Sequence, residues 1–328
     1  DERAGAYAGT GTFFLFSDTF VGDVAADGSR QNATLVNNSA AFRPAGTPWA
    51  QPLQMFVNTD PQSGDPISLF TPAVPGTQPG DFYWLKDAVR LNGTTYVFAS
   101  WWSAAYARRG IVLITLPPGD LPPFPNHTQQ IVPLYLPQLG DATGIVFGGA
   151  ILPNTAVSGA PQPDGYVYVY GTSDSAAGNG LNKRVYVARV PEADFASAAA
   201  WRFWNGSGWV ASIQQAAPIA DEASVELSVV ALPDGRFLLV FQHLQASRRI
   251  AIRVGTSPTG PFGPPITIYT CPEPDLRSGI FCYNAKAHPH LSNPGELLIS
   301  YNVNTTNFAD NLRFSDIYRP RFIRLIAP

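Results

Sequence analysis

The chain has 328 residues, a formal net charge of −3 and 14% charged residues, against roughly 25% in an average soluble protein. No run of like charge is present, so nucleic acid and anionic membrane surfaces are excluded as partners. No stretch reaches the roughly 18 consecutive apolar residues of a membrane span, and the opening Asp1-Glu2-Arg3 does not resemble a signal peptide, so a mature or trimmed chain is expected.

Helical periodicity is almost absent, and one short helix is predicted over 191–203. Elsewhere, short runs rich in β-branched and aromatic residues are separated by turn residues, which is typical of strands. The Asn92-Gly93 pair between two such runs is a strong hairpin signal. In chain order the predicted strands are 13–20, 34–42, 53–57, 83–91, 95–102, 111–116, 144–152, 166–171, 184–190, 225–232, 237–244, 250–255, 284–292, 296–304 and 322–328.

These strands fall into five groups, and turn glycines mark four of them. Gly93, Gly165, Gly235 and Gly295 follow one another at intervals of 60 to 72 residues. Repeats of this length with three or four strands each are typical of propeller blades. We therefore predict an all-β, single-domain, five-bladed β-propeller with its functional site at the mouth of the ring. The blades are expected at about 1–60, with most of its innermost strand before Thr10, and at 81–120, 141–195, 220–265 and 280–328.

Six Asn-x-Ser/Thr sequons without a central proline indicate a secreted, extracellular glycoprotein. Chance occurrence in a chain rich in Asn, Ser and Thr is the alternative. The sequons begin at Asn32, Asn37, Asn92, Asn126, Asn205 and Asn304.

Cys271 and Cys282 are the only cysteines. We expect a disulfide that closes a short loop and is worth roughly 2–3 kcal/mol. A pair of buried free thiols is the alternative. Two cysteines alone cannot form a tetrahedral thiolate zinc site, and no cofactor is predicted.

The sequence lacks the phosphate loop G-x-x-x-x-G-K-[ST], the nucleophile elbow G-x-S-x-G and the zinc helix H-E-x-x-H. With four histidines in all, any catalysis is expected to depend on carboxylates. Asp18 ends the aromatic run FLFSDTF, where it either takes part in catalysis or binds the amides of the next turn. Asp87 lies inside the strand YWLKDAVRL, where a charge is costly unless it faces a solvated channel or pairs with Lys86 or Arg90.

Glu226 occupies the equivalent strand of the fourth group, SVELSVV, where alternation places Ser224 and Ser228 on the same face as the carboxylate. A carboxylate on the polar face of an inner strand is expected to point toward the propeller axis. Glu222, just upstream, is a reserve candidate, although it is also typical of a solvated loop.

Two further groups are candidates for substrate binding. Trp84, Trp101 and Trp102 cluster around the second blade, where they either stack on sugar rings or pack between blades, and one of them is expected to be exposed. In the fifth blade, NAKAHPHL places Asn284 and His288 on a polar face. The alternatives there are a histidine bonded to a neighbouring blade, or a metal pair of His288 and His290, which lacks an evident third ligand.

The segments FLFSDTFVGDVAADGSR, VNNSAAF and YNAKAHPHLSNPGELLISYNVN resemble secreted five-bladed propeller domains of unknown function related to glycoside hydrolases that cleave arabinans and fructans, including endo-D-arabinanases. This resemblance implies an acid and a base carboxylate from different blades, and Asp18, Asp87 and Glu226 are the matching positions. The family often has an acidic residue before the Gly-Ala-Tyr of its first inner strand, whereas Ala4 stands there in this chain.

Three hypotheses follow. The first is a secreted glycoside hydrolase of furanose-containing or related polysaccharides, with Glu226 as general acid, Asp87 as base or modulator of the acid, and Asp18 in support. The second, motivated by Ala4, is a catalytically silent propeller that binds glycans or builds an extracellular matrix. The third is a metal-dependent enzyme using His288 and His290.

Overall fold

The computed structural model describes residues 11–48, 50–139, 144–174 and 181–326, so Ala4 and the innermost strand predicted before Thr10 lie outside the described residues. The described chain consists of antiparallel strands, short 3-10 turns and one six-residue helix, which confirms the all-β class. It divides into two compact units. Unit 1 holds the described residues up to Asp23 and Asn32–Leu134, and unit 2 holds Val24–Gln31 and the described residues from Tyr135 onward.

Eleven strands precede residue 134. They are β1 (Gly11–Phe16), β2 (Thr19–Val24), β3 (Arg30–Val36), β4 (Ser39–Pro44), β5 (Gln54–Phe56), β6 (Asn58–Thr59), β7 (Pro66–Ile67), β8 (Phe82–Leu91), β9 (Thr94–Trp102), β10 (Arg108–Leu116) and β11 (Thr128–Val132). They form a three-stranded sheet β1-β4-β5, a four-stranded sheet β8-β9-β10-β11 and the ribbons β2-β3 and β6-β7. The predicted strand 13–20 is broken at Ser17 and Asp18.

Fourteen strands follow. They are β12 (Tyr135–Leu136), β13 (Gly144–Asn154), β14 (Tyr166–Asp174), β15 (Lys183–Pro191), β16 (Arg202–Trp204), β17 (Trp209–Val210), β18 (Ala220–Ala223), β19 (Leu227–Ala231), β20 (Phe237–Gln242), β21 (Arg249–Gly255), β22 (Ile266–Thr270), β23 (Ile280–Ala287), β24 (Glu296–Thr305) and β25 (Pro320–Ile326). Strands β12 to β18 form a seven-stranded sheet, β19 to β22 a four-stranded sheet and β23 to β25 a three-stranded sheet. The helix α1 spans Phe308–Arg313.

Glycines at the predicted turns adopt backbone angles that other residues rarely take. Gly93, Gly165, Gly235 and Gly295 have φ between +82° and +86°, and each lies between two paired strands. Asn92, at φ 49°, completes the tight turn between β8 and β9, as expected for an Asn-Gly hairpin. The four predicted turns are therefore confirmed.

The predicted helix over 191–203 is wrong. Two 3-10 turns, Glu192–Asp194 and Ala198–Ala200, occupy the segment instead. Phe195 and Trp201 are both buried, with ring centroids 5.5 Å apart. Burying these two rings holds the chain in short turns, so the helix propensity of the alanines does not decide the outcome. Three more 3-10 turns are Ile213–Gln215, Glu273–Asp275 and Pro289–Leu291, and the last of these ends β23 before the predicted limit at 292.

Each unit has its own apolar core. In unit 1, Leu15, Phe70 and Tyr83 pack with the buried side chains of β8, β9 and β10. In unit 2, one cluster joins β13, β14 and β15 to β19 and β20, and a second joins β20 to β23 and β24. No helix among the residues described is long and apolar enough to cross a membrane.

Close packing at Gly171 provides a test of the β13–β14 pairing. A Cβ atom at Gly171 would lie 2.6 Å from the Cα of Phe147 and would also meet the Val146 carbonyl oxygen, whereas a Cβ at Gly208 would meet nothing within 4 Å. We expect Gly171→Ala to lower the unfolding free energy by about 1–3 kcal/mol because strand backbone would have to move. Thermal unfolding followed by circular dichroism measures this, with Gly208→Ala as the matched control. Equal melting temperatures of the two variants would contradict the pairing.

Candidate functional site

In several sheets the first long strand is interrupted, and these interruptions affect where polar side chains lie. The pairing of β8 with β9 shifts between Leu85 and Ala88, that of β13 with β14 between Phe147 and Ala150, and that of β23 with β24 between Tyr283 and Lys286. Each shift leaves extra residues in the first strand, a β-bulge. The chain that leads into the β19–β22 sheet has a gap between strands instead, since β18, which pairs with β15 in the seven-stranded sheet, ends at Ala223 and β19 begins at Leu227. Bulges re-aim side chains, and they are frequent beside active sites.

The gap before β19 carries Glu226, and two bulges of unit 2 lie next to it. β19 packs against β13 and β23. A Cβ atom on Gly149, in the bulge of β13, would lie 2.8 Å from the carbonyl oxygen of Val225, so only glycine permits this approach. From the other side, Lys286 Nζ lies 3.9 Å from Glu226 Oε2, with the lysine side chain 5% and the glutamate side chain 15% exposed. Glu226 is thus a largely buried carboxylate held beside an ammonium group.

The two serines predicted beside Glu226 have structural contacts. Ser228 is buried, and its Oγ accepts a hydrogen bond of 3.0 Å from Ala287 N in β23. Ser224 is also buried; its Oγ accepts from Gln242 N at 3.1 Å and donates to the carbonyl oxygen of Glu226. Both hydroxyls therefore hold the chain around Glu226 against its neighbouring strands. The Gln242 contact was not foreseen from the sequence, because it depends on the register of β19 with β20.

The polar residues of the fifth sheet have separate places. Asn284 lies in the bulge at φ 59° and is half-buried. His288 is 3% exposed, and its Nε2 lies 2.6 Å from Ser300 Oγ on β24. Exposed His290 lies with its ring 6.4 Å from that of His288. Within the described ranges, no cluster of three metal-ligating side chains includes either histidine.

A second polar cluster surrounds Glu222, the reserve candidate. Glu222 has a φ of 55°, which is strained for this residue type. Its Oε2 lies 3.4 Å from a terminal nitrogen of Arg253 and 3.6 Å from His243 Nε2. His243 Nδ1 lies 2.8 Å from a guanidinium nitrogen of Arg249. Arg253 and His243 were missed from the sequence because each stands in an otherwise apolar strand or at its end.

Burial and Arg249 together lower the pKa of His243 below its usual 6.5. As the pH falls below about 6.5, the unfolded chain therefore takes up this proton before the folded chain does, and stability present at pH 7 is lost. We expect His243→Gln to lose less stability than the wild type between pH 7 and pH 5, measured by urea unfolding. His290→Gln, which removes an exposed histidine, is the control and should follow the wild type. A steeper loss in His243→Gln would contradict the assignment.

In unit 1, Asp87 lies in the bulge of β8 and is fully buried, next to Lys86, which is 4% exposed. Asp18 lies in the bend between β1 and β2, and its Oδ1 accepts a hydrogen bond of 2.6 Å from Trp84 Nε1. Both candidate aspartates thus lie where a strand is interrupted. The hydrogen bond from Trp84 explains the polar break in the aromatic run around Asp18.

An aromatic cluster adjoins Asp18. The ring of Trp84 lies 5.0 Å from that of Trp102, 5.4 Å from Phe82 and 6.1 Å from Tyr106. Trp84 and Trp102 are half-buried, and Tyr106 is 65% exposed with a φ of 59°. The Arg108 guanidinium lies 4.3 Å above the Trp102 ring. Such a partly exposed set of rings offers faces on which a sugar ring can stack.

Trp101 differs from its neighbour in the sequence. It is 5% exposed, and its Nε1 donates to Asp81 Oδ2 at 3.0 Å. Alternation along β9 sends Trp101 into the core of unit 1 and leaves Trp102 with Trp84. The prediction that Trp101 binds substrate therefore has no support from its position, whereas Trp84 and Trp102 retain accessible surface.

The predicted disulfide is not formed in the structure, in which Cys271 and Cys282 are buried free cysteines. The ligand atoms of these cysteines and of Glu273 all lie within 4.8 Å of one another. Glu273 Oε2 lies 3.8 Å from Cys282 Sγ, and Glu273 Oε1 accepts from Tyr301 Oη at 2.9 Å. A hydrogen bond with Cys271, together with burial, raises the pKa of the Cys282 thiol.

Because the two sulfur atoms lie close together, we still predict that they form a disulfide when the chain is oxidised. Protein recovered without reductant and then denatured should resist iodoacetamide at both cysteines, and it should gain two labels once reductant is added. Mass spectrometry measures the labels. The Cys271→Ser, Cys282→Ser double variant is the control for labelling elsewhere. Two labels without reductant would show that the thiols stay reduced.

Comparison with known proteins assigns the chain to a family. Residues 8–327 match the family described as Domain of unknown function (DUF5005), and the chain belongs to this family. No curated protein matches the chain at a significant level.

Among solved structures, a proposed hydrolase from Bacteroides ovatus ATCC 8483 is similar with a TM-score of 0.74 and 22% identity, over 98% of this chain and 84% of that one. The α-L-arabinofuranosidase CtGH43 from Clostridium thermocellum is similar with a TM-score of 0.52 and 11% identity, over 100% and 90% of the chains. A GH43_1 enzyme from Xanthomonas citri, complexed with xylose, gives 0.51 and 15%, over 99% and 86%. At these identities the similarity shows a shared fold, which supports the β-propeller prediction.

Proposed function

We propose that this protein is a secreted glycoside hydrolase with a five-bladed propeller fold that acts on a furanose-containing, arabinan-like polysaccharide. The observation that carries the proposal is the placement of Glu226. This carboxylate lies in the bend just before β19, its side chain is 15% exposed, and Lys286 lies beside it. Burying a charged carboxylate costs free energy, so a carboxylate that is largely buried in this way is typical of a functional site.

The fold similarity to an arabinofuranosidase and to a GH43_1 enzyme supports the reaction class. Five sheets of three or more strands within the described residues support five blades. Exposed sequons at Asn32, Asn92 and Asn126 support secretion, because a glycan there would meet no packed structure.

Glycoside hydrolysis needs an acid and a base or nucleophile. We assign the acid to Glu226, which would give its proton to the glycosidic oxygen as the bond to the anomeric carbon breaks. We assign the base to Asp87, which would take a proton from water as the water oxygen bonds to that carbon, or would modulate the acid. Asp18 would support the site through Trp84.

Substrate contacts are assigned to partly exposed groups. Trp84 and Trp102 would stack on sugar rings, and Asn284 in the bulge of β23 would bind hydroxyl groups. His288 would contribute to substrate binding indirectly, by holding Ser300 in place through their hydrogen bond. No cofactor is proposed.

Replacing the acid tests the proposal. Glu226→Gln should reduce the release of reducing sugar from a panel of arabinans, fructans and galactans by at least about a hundredfold, since general acid catalysis contributes 10²–10⁴-fold. Glu192→Gln, in the 3-10 turn after β15, is the control with an equal change of charge. Circular dichroism checks that both variants fold.

Unchanged turnover in Glu226→Gln would exclude Glu226 as the acid. Glycan binding by the wild type without any hydrolysis would instead favour the silent glycan-binding protein, the hypothesis that Ala4 motivates.

A further inference from the structure

The hairpin of β16 and β17 presents the Asn205 side chain in a fixed orientation. Asn205 N donates to the Gly208 carbonyl oxygen at 3.0 Å. Its Oδ1 accepts from Ser207 N at 3.0 Å, Ser207 Oγ at 3.1 Å and Gly208 N at 2.8 Å. Three donors thus hold the amide oxygen against the turn. The other end of the amide, Nδ2, is directed away from these donors and forms no hydrogen bond with the described part of the chain.

Two tryptophans flank this asparagine. Trp204 and Trp209 face each other across the hairpin, with ring centroids 5.4 Å apart and an interplanar angle of 61°. Both are half-buried. The Arg189 guanidinium lies 4.2 Å from the Trp209 ring and 3.9 Å from the Tyr166 ring. The tryptophan pair is therefore held in place by packing and keeps part of its aromatic surface accessible, and Trp204 directly precedes Asn205 in the hairpin.

Two other sequons lack this combination. Asn304 is half-buried, as Asn205 is, but its Oδ1 accepts from Thr305 N at 2.8 Å and from the side chain of Asn311, at Nδ2, at 3.0 Å. Asn126 is exposed, but its Nδ2 already donates to Asp120 Oδ1 at 3.1 Å. At the Asn205 sequon both features occur together: the amide nitrogen is directed away from the turn, and a tryptophan stands at either end of that turn.

We propose that Asn205 carries an N-linked glycan whose first N-acetylglucosamine lies on the Trp204–Trp209 pair and stabilises this hairpin. Attachment forms a bond from Nδ2 to C1 of the sugar and breaks the bond from C1 to the diphosphate of a lipid-linked oligosaccharide donor, while the amide loses one proton. The apolar C–H face of the sugar then packs on an indole ring. The inference rests on the proposed secretion and is independent of hydrolase activity.

The test uses the full chain, secreted from eukaryotic cells that N-glycosylate and, in parallel, made in bacteria that do not. Peptide mass spectrometry should find Asn205 occupied in the eukaryotic protein. In that protein Asn205→Gln should lower Tm by about 2 °C more than the same substitution does in bacterial protein. Trimming the glycan to its single inner N-acetylglucosamine should leave Tm unchanged, because that sugar makes the contact.

Trp204→Leu provides the second measurement. In this background Asn205→Gln should have the same effect on Tm in both hosts, even if the variant is less stable overall. Thr128→Ala, which removes the Asn126 sequon, is the matched control and should show no host-dependent change. An unoccupied Asn205 beside occupied Asn92 and Asn126, or equal Tm changes in the two hosts, would overturn the inference while leaving secretion intact. A chain occupied at no sequon would overturn both.

Discussion

Pairing between adjacent strands constrains this molecule most strongly, and the candidate residues lie where that pairing fails. Regular pairing would alternate side chains between the two faces of each sheet. Extra residues in β8 and β23, and the gap before β19, break this alternation. Asp87, Glu226 and Asn284 occupy these breaks. The flanking strands are apolar and buried, and their packing offsets the free-energy cost of holding polar groups in irregular backbone.

The breaks also explain how buried charges are tolerated. Glu226, in the gap before β19, lies beside Lys286 in the bulged strand β23, so each of these charges has a partner of opposite sign. A buried pair is costly to disrupt but adds little net stability compared with apolar packing. Such pairs are therefore better explained by function or by a requirement for one specific backbone path than by stability alone.

Much of the fold follows from short-range signals in the sequence. The turn glycines and the runs of β-branched residues predict most strands to within a few residues, because each signal is local. The place of Glu226 outside a strand was not predicted, since SVELSVV alternates without interruption, whereas in the structure Val225 approaches Gly149 and the strand begins only at Leu227. Tyr106 was missed for a similar reason, because its place beside Trp84 depends on the turn between β9 and β10.

The bulge in β8 makes the number of residues in the strand as important as their identity. One extra residue between Leu85 and Ala88 reverses the parity of everything that follows in the strand. Val89 and Leu91 are buried under the present parity, while Arg90 is exposed. Removing the one extra residue would leave Ala88 paired with Val97 and Arg90 with Thr95, but it would restore regular alternation and abolish the irregular position that Asp87 occupies. This segment should therefore accept changes of side chain far more readily than changes of chain length, and homologous chains should keep the count from Leu85 to Leu91 even where the residues differ.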